Sequence, residues 1–354
     1  MPLETLKITQ LRNICQTELC FSPGLNLIVG ANASGKTSLL EAIALLTQGR
    51  SFRTHRIDQL IQHQTDRMLV FGTLRTNHRT HSLGLAREQK KTQVKLDGKS
   101  LIRSTDLVSL QTLHVITPES HEILDQGPKM RRQYLDWGVF HVKPDYLSTW
   151  QRYHRVLRQR NHTLRHGGGK QAVQAWDKPL ITEAMILHNA RQAYLAMLAP
   201  ALKEFGLQLL EMDVEFRYRP GWAKTSESFA SQLIKDLEQD LERGFTQSGP
   251  HRADISLSVN DVPVKQVFSR GQQKLLICAM YLAQVANSPH PGILLIDDLP
   301  AELDPIRRAR LMTAVASTQV QLFVTATEEN LIPLAGWEHK KVFHVERGEF
   351  REVV

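Results

Sequence analysis

Eight consecutive residues, Gly30-Ala31-Asn32-Ala33-Ser34-Gly35-Lys36-Thr37, fit the pattern G-x-x-x-x-G-K-[ST]. Glycines let the backbone curl so that successive N–H groups converge on one point, which suits a phosphate. Ala31, Asn32, Ala33 and Ser34 supply the amides between the two glycines. Lys36 adds a compact positive charge for β- and γ-phosphates, and Thr37 a hydroxyl for Mg²⁺. Such a loop needs an acid for the metal, and Ile293-Leu294-Leu295-Ile296-Asp297-Asp298 supplies two at the end of an apolar run. Asp297 is the candidate Mg²⁺ ligand, and Asp298 the candidate that polarises an attacking water. Lys36, Asp297 and Asp298 are thus the residues expected to carry chemistry on ATP. Two further segments have suggestive spacing: Ser269-Arg270-Gly271-Gln272 just before a predicted helix, and Glu302-Leu303-Asp304 just after the acidic pair.

These residues need elements that hold them. Residues 25–30 read as a buried strand, and 36–48 as a helix, so the glycine loop lies between a strand and a helix. Residues 293–296 and 321–326 are apolar runs of the kind found in parallel strands covered on both faces. Residues 67–75 and 81–87 alternate, as antiparallel strands with one wet face do, and Asp97-Gly98 marks a hairpin. Residues 107–116 hold another apolar stretch, expected as a strand. From about 129 to 243 the pattern is mainly helical, with Phe229, Leu233, Leu237 and Leu241 on one helix face and Gly167-Gly168-Gly169 as a turn. Alternation returns at 253–259, and a helix is predicted over 270–286. The expected fold is α/β: a phosphate-loop head of mixed sheet from residues 1–120 and 244–354, interrupted by a mainly helical arm over 121–243.

The chain has 354 residues and a formal charge of +8, which permits an anionic partner. It has no run of eighteen apolar residues, so no membrane span is expected. The N-terminus lacks a basic start followed by an apolar block, so no secretory leader is expected. Cys15, Cys20 and Cys278 have neither disulfide nor zinc spacing and are expected as small buried hydrophobes in a reducing cytoplasm. Between Tyr146 and Trp176 there is no acid, but there are Arg152, Arg155, Arg158 and Arg160. Arg152, Arg155 and Arg158 recur every third residue, and a helix showing these three on one side suits a phosphate backbone, read without regard to sequence; Arg160 is counted with them as a DNA-binding candidate. Arg50, Arg53 and Arg56 form a second basic group. His162 and His166 lack a third ligand and are expected at the surface.

The order of phosphate loop, Ser-x-Gly-Gln segment, acidic strand end and Glu302-Leu303-Asp304 resembles the ABC/SMC class of ATPases. The resemblance narrows at Gly49-Arg50-Ser51-Phe52-Arg53, Arg131-Arg132-Gln133-Tyr134-Leu135-Asp136 and Gly249-Pro250-His251-Arg252-Ala253-Asp254, which are similar to segments of the RecF family of bacterial recombination mediators. The distance from Lys36 to Gly271 is too long for a compact transporter ATPase and too short for the coiled coil of an SMC protein. The resemblance implies that Ser269, Arg270, Gly271 and Gln272 contact a nucleotide held by a second copy. It also implies that Asp304 lies at the seam of an ATP-bound homodimer. It further implies binding to duplex DNA near single-strand gaps or junctions, the mediator proteins RecR and RecO as partners, and help in loading a recombinase. This sequence departs from the wider class in four places. Ala33 stands where many members have glycine, and Asp298 where many have glutamate. Thr325-Ala326-Thr327 replaces a switch histidine, and Pro118-Glu119 occupies the region of the usual loop glutamine. Slow hydrolysis is therefore expected, with ATP acting more as a clamp than as fuel, and the resemblance implies that hydrolysis depends on DNA. A transporter subunit and a non-hydrolysing structural clasp are the alternative readings.

Overall fold

The computed structural model describes residues 2–75, 79–88, 91–101, 104–223, 228–290 and 292–353. The chain divides into two compact units: one of residues 1–120, 208–210 and 270–354, the other of residues 121–207 and 211–269.

The first unit opens with β1 (Leu3–Leu11), β2 (Ile14–Cys20), β3 (Leu25–Val29) and α1 (Lys36–Gln48). It continues with β4 (Arg67–Arg75), β5 (Thr80–Glu88), β6 (Lys91–Leu96), β7 (Lys99–Ser100), α2 (Ser104–Leu110) and β8 (Leu113–Ile116). The second unit carries α3 (Glu122–Asp125), α4 (Pro128–Val142), α5 (Tyr146–Arg165), α6 (Gly169–Gln174) and α7 (Asp177–Leu210). Then come β9 (Glu215–Arg219), α8 (Phe229–Arg243), β10 (Asp254–Val259), β11 (Val262–Pro263) and α9 (Val264–Val267). The chain returns to the first unit with α10 (Arg270–Ala286), β12 (Ile293–Ile296), α11 (Pro305–Ser317), β13 (Gln321–Ala326), β14 (Lys340–Glu346) and β15 (Glu349–Glu352).

Two sheets make the first unit. One is antiparallel, in the order β2-β1-β4-β5-β6-β7; the other is mixed, in the order β15-β14-β3-β13-β12-β8. In the mixed sheet β14, β3, β13, β12 and β8 run parallel, and only β15 is antiparallel. Every residue of β3, β12 and β13 is buried, including the polar Asn26, Gln321 and Thr325, as expected of parallel strands covered on both faces. Helix α1 is buried along most of its length, and its leucines share one core with Leu3, Leu6 and Val70 of one sheet and Ile28, Leu295 and Phe323 of the other.

The second unit is mostly helical but holds a three-stranded sheet, β11-β10-β9. β10 pairs with β9 from Asp254↔Arg219 to Ser258↔Glu215. Residues 244–269 therefore fold with the helical unit, and the head resumes at Arg270 rather than at Gly244. The stretch 107–116, expected as one strand, is split into the end of α2 and β8. Cys15 and Cys20 are exposed on β2, where each directly follows a buried residue, Ile14 and Leu19 respectively, and only Cys278 is buried. The α8 face is as expected, with Phe229, Leu233 and Leu237 buried and Leu241 packed beside Leu164 and Val173.

Candidate nucleotide site

The glycine loop leaves the C-terminal end of β3, the position at which open α/β sheets bind ligands. Gly35 adopts φ 125°, which only glycine tolerates well, and Ala33 adopts φ 63°. The alanine that stands at this position thus adopts a left-handed conformation. Lys36 is almost fully buried, and its Nζ donates to the carbonyls of Gly30 at 2.7 Å and Ala31 at 2.9 Å. Burial holds its pKa below the usual lysine range, opposed by the charges of Asp298 and Asp297.

Asp297 lies just past the end of β12, two strands from β3, with β13 between them. Thr37 Oγ1 donates to both oxygens of its carboxylate, at 3.1 Å and 2.9 Å. Thr325 Oγ1, from β13, donates to Oδ1 at 2.8 Å. Burial pushes the Asp297 carboxyl above its ordinary range, and both threonine hydroxyls pull it back. Asp298 adopts the left-handed conformation at φ 50°, and its N–H donates to Thr325 Oγ1 at 2.7 Å. The loop, Lys36, Thr37, Asp297 and Asp298 are thus brought together.

Several side chains outside the recognised motifs hold this site. The two-residue turn Arg12-Asn13 between β1 and β2 clips both loop and helix. Asn13 Nδ2 donates to the Ser34 carbonyl at 3.0 Å, and Asn13 Oδ1 accepts from Ser38 Oγ at 2.8 Å. Arg12 grips the fully buried carboxylate of Glu41 with two N–H groups at 3.0 Å and 3.1 Å, and Ser51 Oγ donates to the same carboxylate at 2.6 Å. From the β14–β15 turn, Gly348 N–H donates to the Ser34 carbonyl at 2.7 Å; a Cβ there would meet the Asn13 carbonyl oxygen at 2.1 Å. Glu41 is detectable in the sequence as one acid inside an apolar helix, Leu39-Leu40-Glu41-Ala42-Ile43. Asn13 leaves no comparable signal, and Thr325 is marked only as part of the Thr325-Ala326-Thr327 segment in place of a histidine.

The residues fit a Mg²⁺-bound triphosphate. The Ser34 hydroxyl is buried in the loop without a partner, and Lys36 turns its ammonium onto loop carbonyls. The Thr37 hydroxyl and the Asp297 carboxylate are hard oxygen donors of the type Mg²⁺ takes.

The other expected residues belong to other elements. Ser269 ends the second unit and Arg270 begins α10; both are exposed, and Gly271 and Gln272 are half-buried in the first turn. Asp304 caps α11, its Oδ1 accepting from the Arg307 N–H at 2.9 Å, which lowers its carboxyl pKa. On α5, Arg152, Arg155 and Arg158 are exposed, and Arg152 pairs with Glu183 at 2.8 Å. Arg160 does not join them. It is fully buried, with Nη1 on Asp240 at 2.6 Å and on Thr246 at 2.7 Å, and Nε on Asp177 at 2.9 Å. A groove of about 480 Å³ between α5 and α7 is lined by Arg152, Arg155 and Lys178. Among the described residues no group of His, Cys, Asp or Glu has metal-binding geometry, and His166 Nδ1 instead meets the His162 carbonyl.

A glycine loop after a central parallel strand, an acidic pair two strands away and a second sheet packed over α1 define a P-loop nucleotide-binding head of the SMC type. Consistent with this, residues 2–351 match the RecF/RecN/SMC N-terminal domain family. A solved SMC head bound to the C-winged-helix domain of ScpA shares the fold at a TM-score of 0.65 and 15% identity, over 100% of this chain and 97% of that one. The DNA replication and repair protein RecF of Hydrogenovibrio crunogenus is 42% identical over 98% of both chains, and that of Shewanella baltica 39% over 98%. A solved structure of the recombination mediator protein RecF with ATP, in the RecFOR pathway, superposes at a TM-score of 0.85 with 25% identity over 99% of this chain and 97% of that one. The chain belongs to the RecF family of SMC-type ATPases, and the transporter-subunit reading is not favoured. No helix among the described residues is long and apolar enough to cross a membrane.

Proposed function

We propose that this chain is a cytoplasmic, ATP-dependent DNA-binding protein of recombinational repair. It would bind duplex DNA near single-strand gaps or junctions, pair with a second copy when ATP is bound, and hydrolyse ATP slowly in a DNA-dependent way. RecR and RecO are its expected partners, by family. The observation that carries the reading is the bond from Thr37 to Asp297, which joins the phosphate loop to the acidic strand end. The loop amides and Lys36 would hold the phosphates, and Thr37 and Asp297 the metal. Mg²⁺, when bound, would neutralise charge on the phosphates. Asp298 would orient water, and its carboxylate is shorter than the glutamate of many members, which supports slow turnover. Ser269, Arg270, Gly271, Gln272 and Asp304 would meet the nucleotide and seam of the second copy. Arg155 and Arg158, with the groove cations Arg152 and Lys178, would take the phosphate backbone of DNA.

The test is sedimentation and DNA binding with ATP, with ADP and without nucleotide. ATP should raise both dimer fraction and DNA affinity, and Lys36→Met should remove that effect. A monomer under every condition would refute the clamp.

A further inference from the structure

Thr325 opens the Thr325-Ala326-Thr327 segment that stands in place of the wider class's switch histidine. It lies on β13, which separates the strand of the phosphate loop from the strand of the acidic pair. Its side chain is fully buried. Its single proton goes to Asp297 Oδ1 at 2.8 Å, while its oxygen accepts the Asp298 N–H at 2.7 Å. One hydroxyl therefore holds both aspartates at once. The other hydroxyl on Asp297, from Thr37, divides its proton between the two carboxylate oxygens at 2.9 Å and 3.1 Å. Thr325 is thus the donor committed to one oxygen. It also satisfies the amide of a residue at φ 50°, a backbone conformation that L-residues other than glycine enter at a cost. A valine has nearly the same shape but can neither donate to a carboxylate nor accept an amide.

We propose that Thr325 is a positioning residue for the hydrolytic site: its hydroxyl fixes the rotamer of Asp297 for the metal and the backbone of Asp298 for the attacking water. This rests on the reading of Asp297 as metal ligand given above. The consequence is a division of labour within ATP binding. The phosphate loop grips the triphosphate without Thr325, and only the metal-dependent part of affinity and the turnover step depend on its hydroxyl.

The experiment titrates a fluorescent ATP analogue into the full chain, with Mg²⁺ and with EDTA, alongside the Mg²⁺ concentration giving half-maximal hydrolysis. Wild type is compared with Thr325→Val, Thr325→Ala and Thr325→Ser. Thr325→Val should keep the EDTA affinity of wild type, lose on the order of tenfold in the affinity gained from Mg²⁺ and need correspondingly more Mg²⁺ for hydrolysis, the scale of a hydrogen bond to a charged group. Its kcat should fall while KM in excess Mg²⁺ moves less. Thr325→Ser should restore all of these. If Thr325→Val does not fold, the Thr325→Ala and Thr325→Ser pair decides in the same titrations. Wild-type behaviour in the valine or alanine variant, or a serine variant as impaired as alanine, would overturn the proposal. A wild type whose affinity ignores Mg²⁺ would instead overturn the reading of Asp297.

Discussion

Replacing Arg160 separates a structural role from a DNA-binding one. Its guanidinium is fully buried against Asp240, itself fully buried, and against Thr246 and the partly exposed Asp177. Arg160→Met keeps most of the side-chain volume but leaves the Asp240 carboxylate with one remaining protein donor, the Gln247 N–H at 3.0 Å. Stranding one member of a buried ion pair costs about 3–5 kcal/mol. For a unit of this size each kcal/mol moves the midpoint by about 2–4 °C, so the second unit should melt roughly 6–20 °C lower. Adding Asp240→Leu should recover much of that loss, since burying neither charge is often no worse than burying both. The assay is thermal unfolding followed through second-unit tryptophans, combined with DNA binding well below the lowered midpoint. Affinity there should equal wild type. A variant with an unchanged midpoint and a tenfold loss in DNA affinity would refute the assignment of Arg160 to the core and return it to the DNA-binding face.

Four further outcomes follow from the same geometry. Arg155→Glu and Arg158→Glu should leave stability within about 0.5 kcal/mol and flatten the dependence of log affinity on log salt, by about 0.9 for each DNA phosphate no longer neutralised. Lys36→Met should cost about tenfold or more in ATP affinity by equilibrium titration, since it removes a charged donor to the phosphates. Ala33→Gly should leave nucleotide binding intact and raise the unfolding free energy by roughly 1 kcal/mol in denaturant titrations, because it relieves the left-handed alanine at φ 63°. His251 donates from Nε2 to the Thr246 carbonyl and accepts the Tyr153 hydroxyl at Nδ1, and burial pulls its pKa down to about 4. The unfolded chain therefore takes up a proton near pH 6.5 that the folded chain refuses until about pH 4. Its stabilising contribution is complete above pH 6.5 and falls away toward pH 4, by about 3 kcal/mol at most. His251→Gln, which keeps one donor and one acceptor, should flatten that acid limb in denaturation curves taken between pH 4 and 7.

What is legible in the sequence is what depends on local spacing. The phosphate loop, the apolar runs 293–296 and 321–326 and the alternating strands each carry their signal within a few residues, and each takes the expected form. What is not legible depends on rotation and on partners. Arg152, Arg155 and Arg158 drift slowly around α5, three residues being close to one turn, whereas Arg160 lies more than half a turn from Arg158 and faces inward. Of its acids, Asp240 is far along the chain and Asp177 stands just past the end of the acid-free window, so the window itself gives no hint of them. The head boundary departs from expectation for a similar reason. The alternation at 253–259 identifies a strand but not its neighbour, and the neighbour is β9.

Sheet order explains how a side chain as short as that of Thr325 reaches both aspartates. With β13 between β3 and β12, the loop strand and the acid strand cannot hydrogen-bond to each other. β13 is in register with both: Val324 lies beside Ile296, and Ala326 beside Val29. Thr325 falls between these two levels, one step beyond the last paired residue of β12. A side chain there needs only one bond's reach to meet Asp297 and the Asp298 amide, so a short hydroxyl is long enough. Being short, it ends at the acids and does not extend past them toward a nucleotide. Being an alcohol, it does not itself titrate near neutrality. A site held this way keeps its acids oriented whether or not hydrolysis follows. That would suit the slow turnover proposed above.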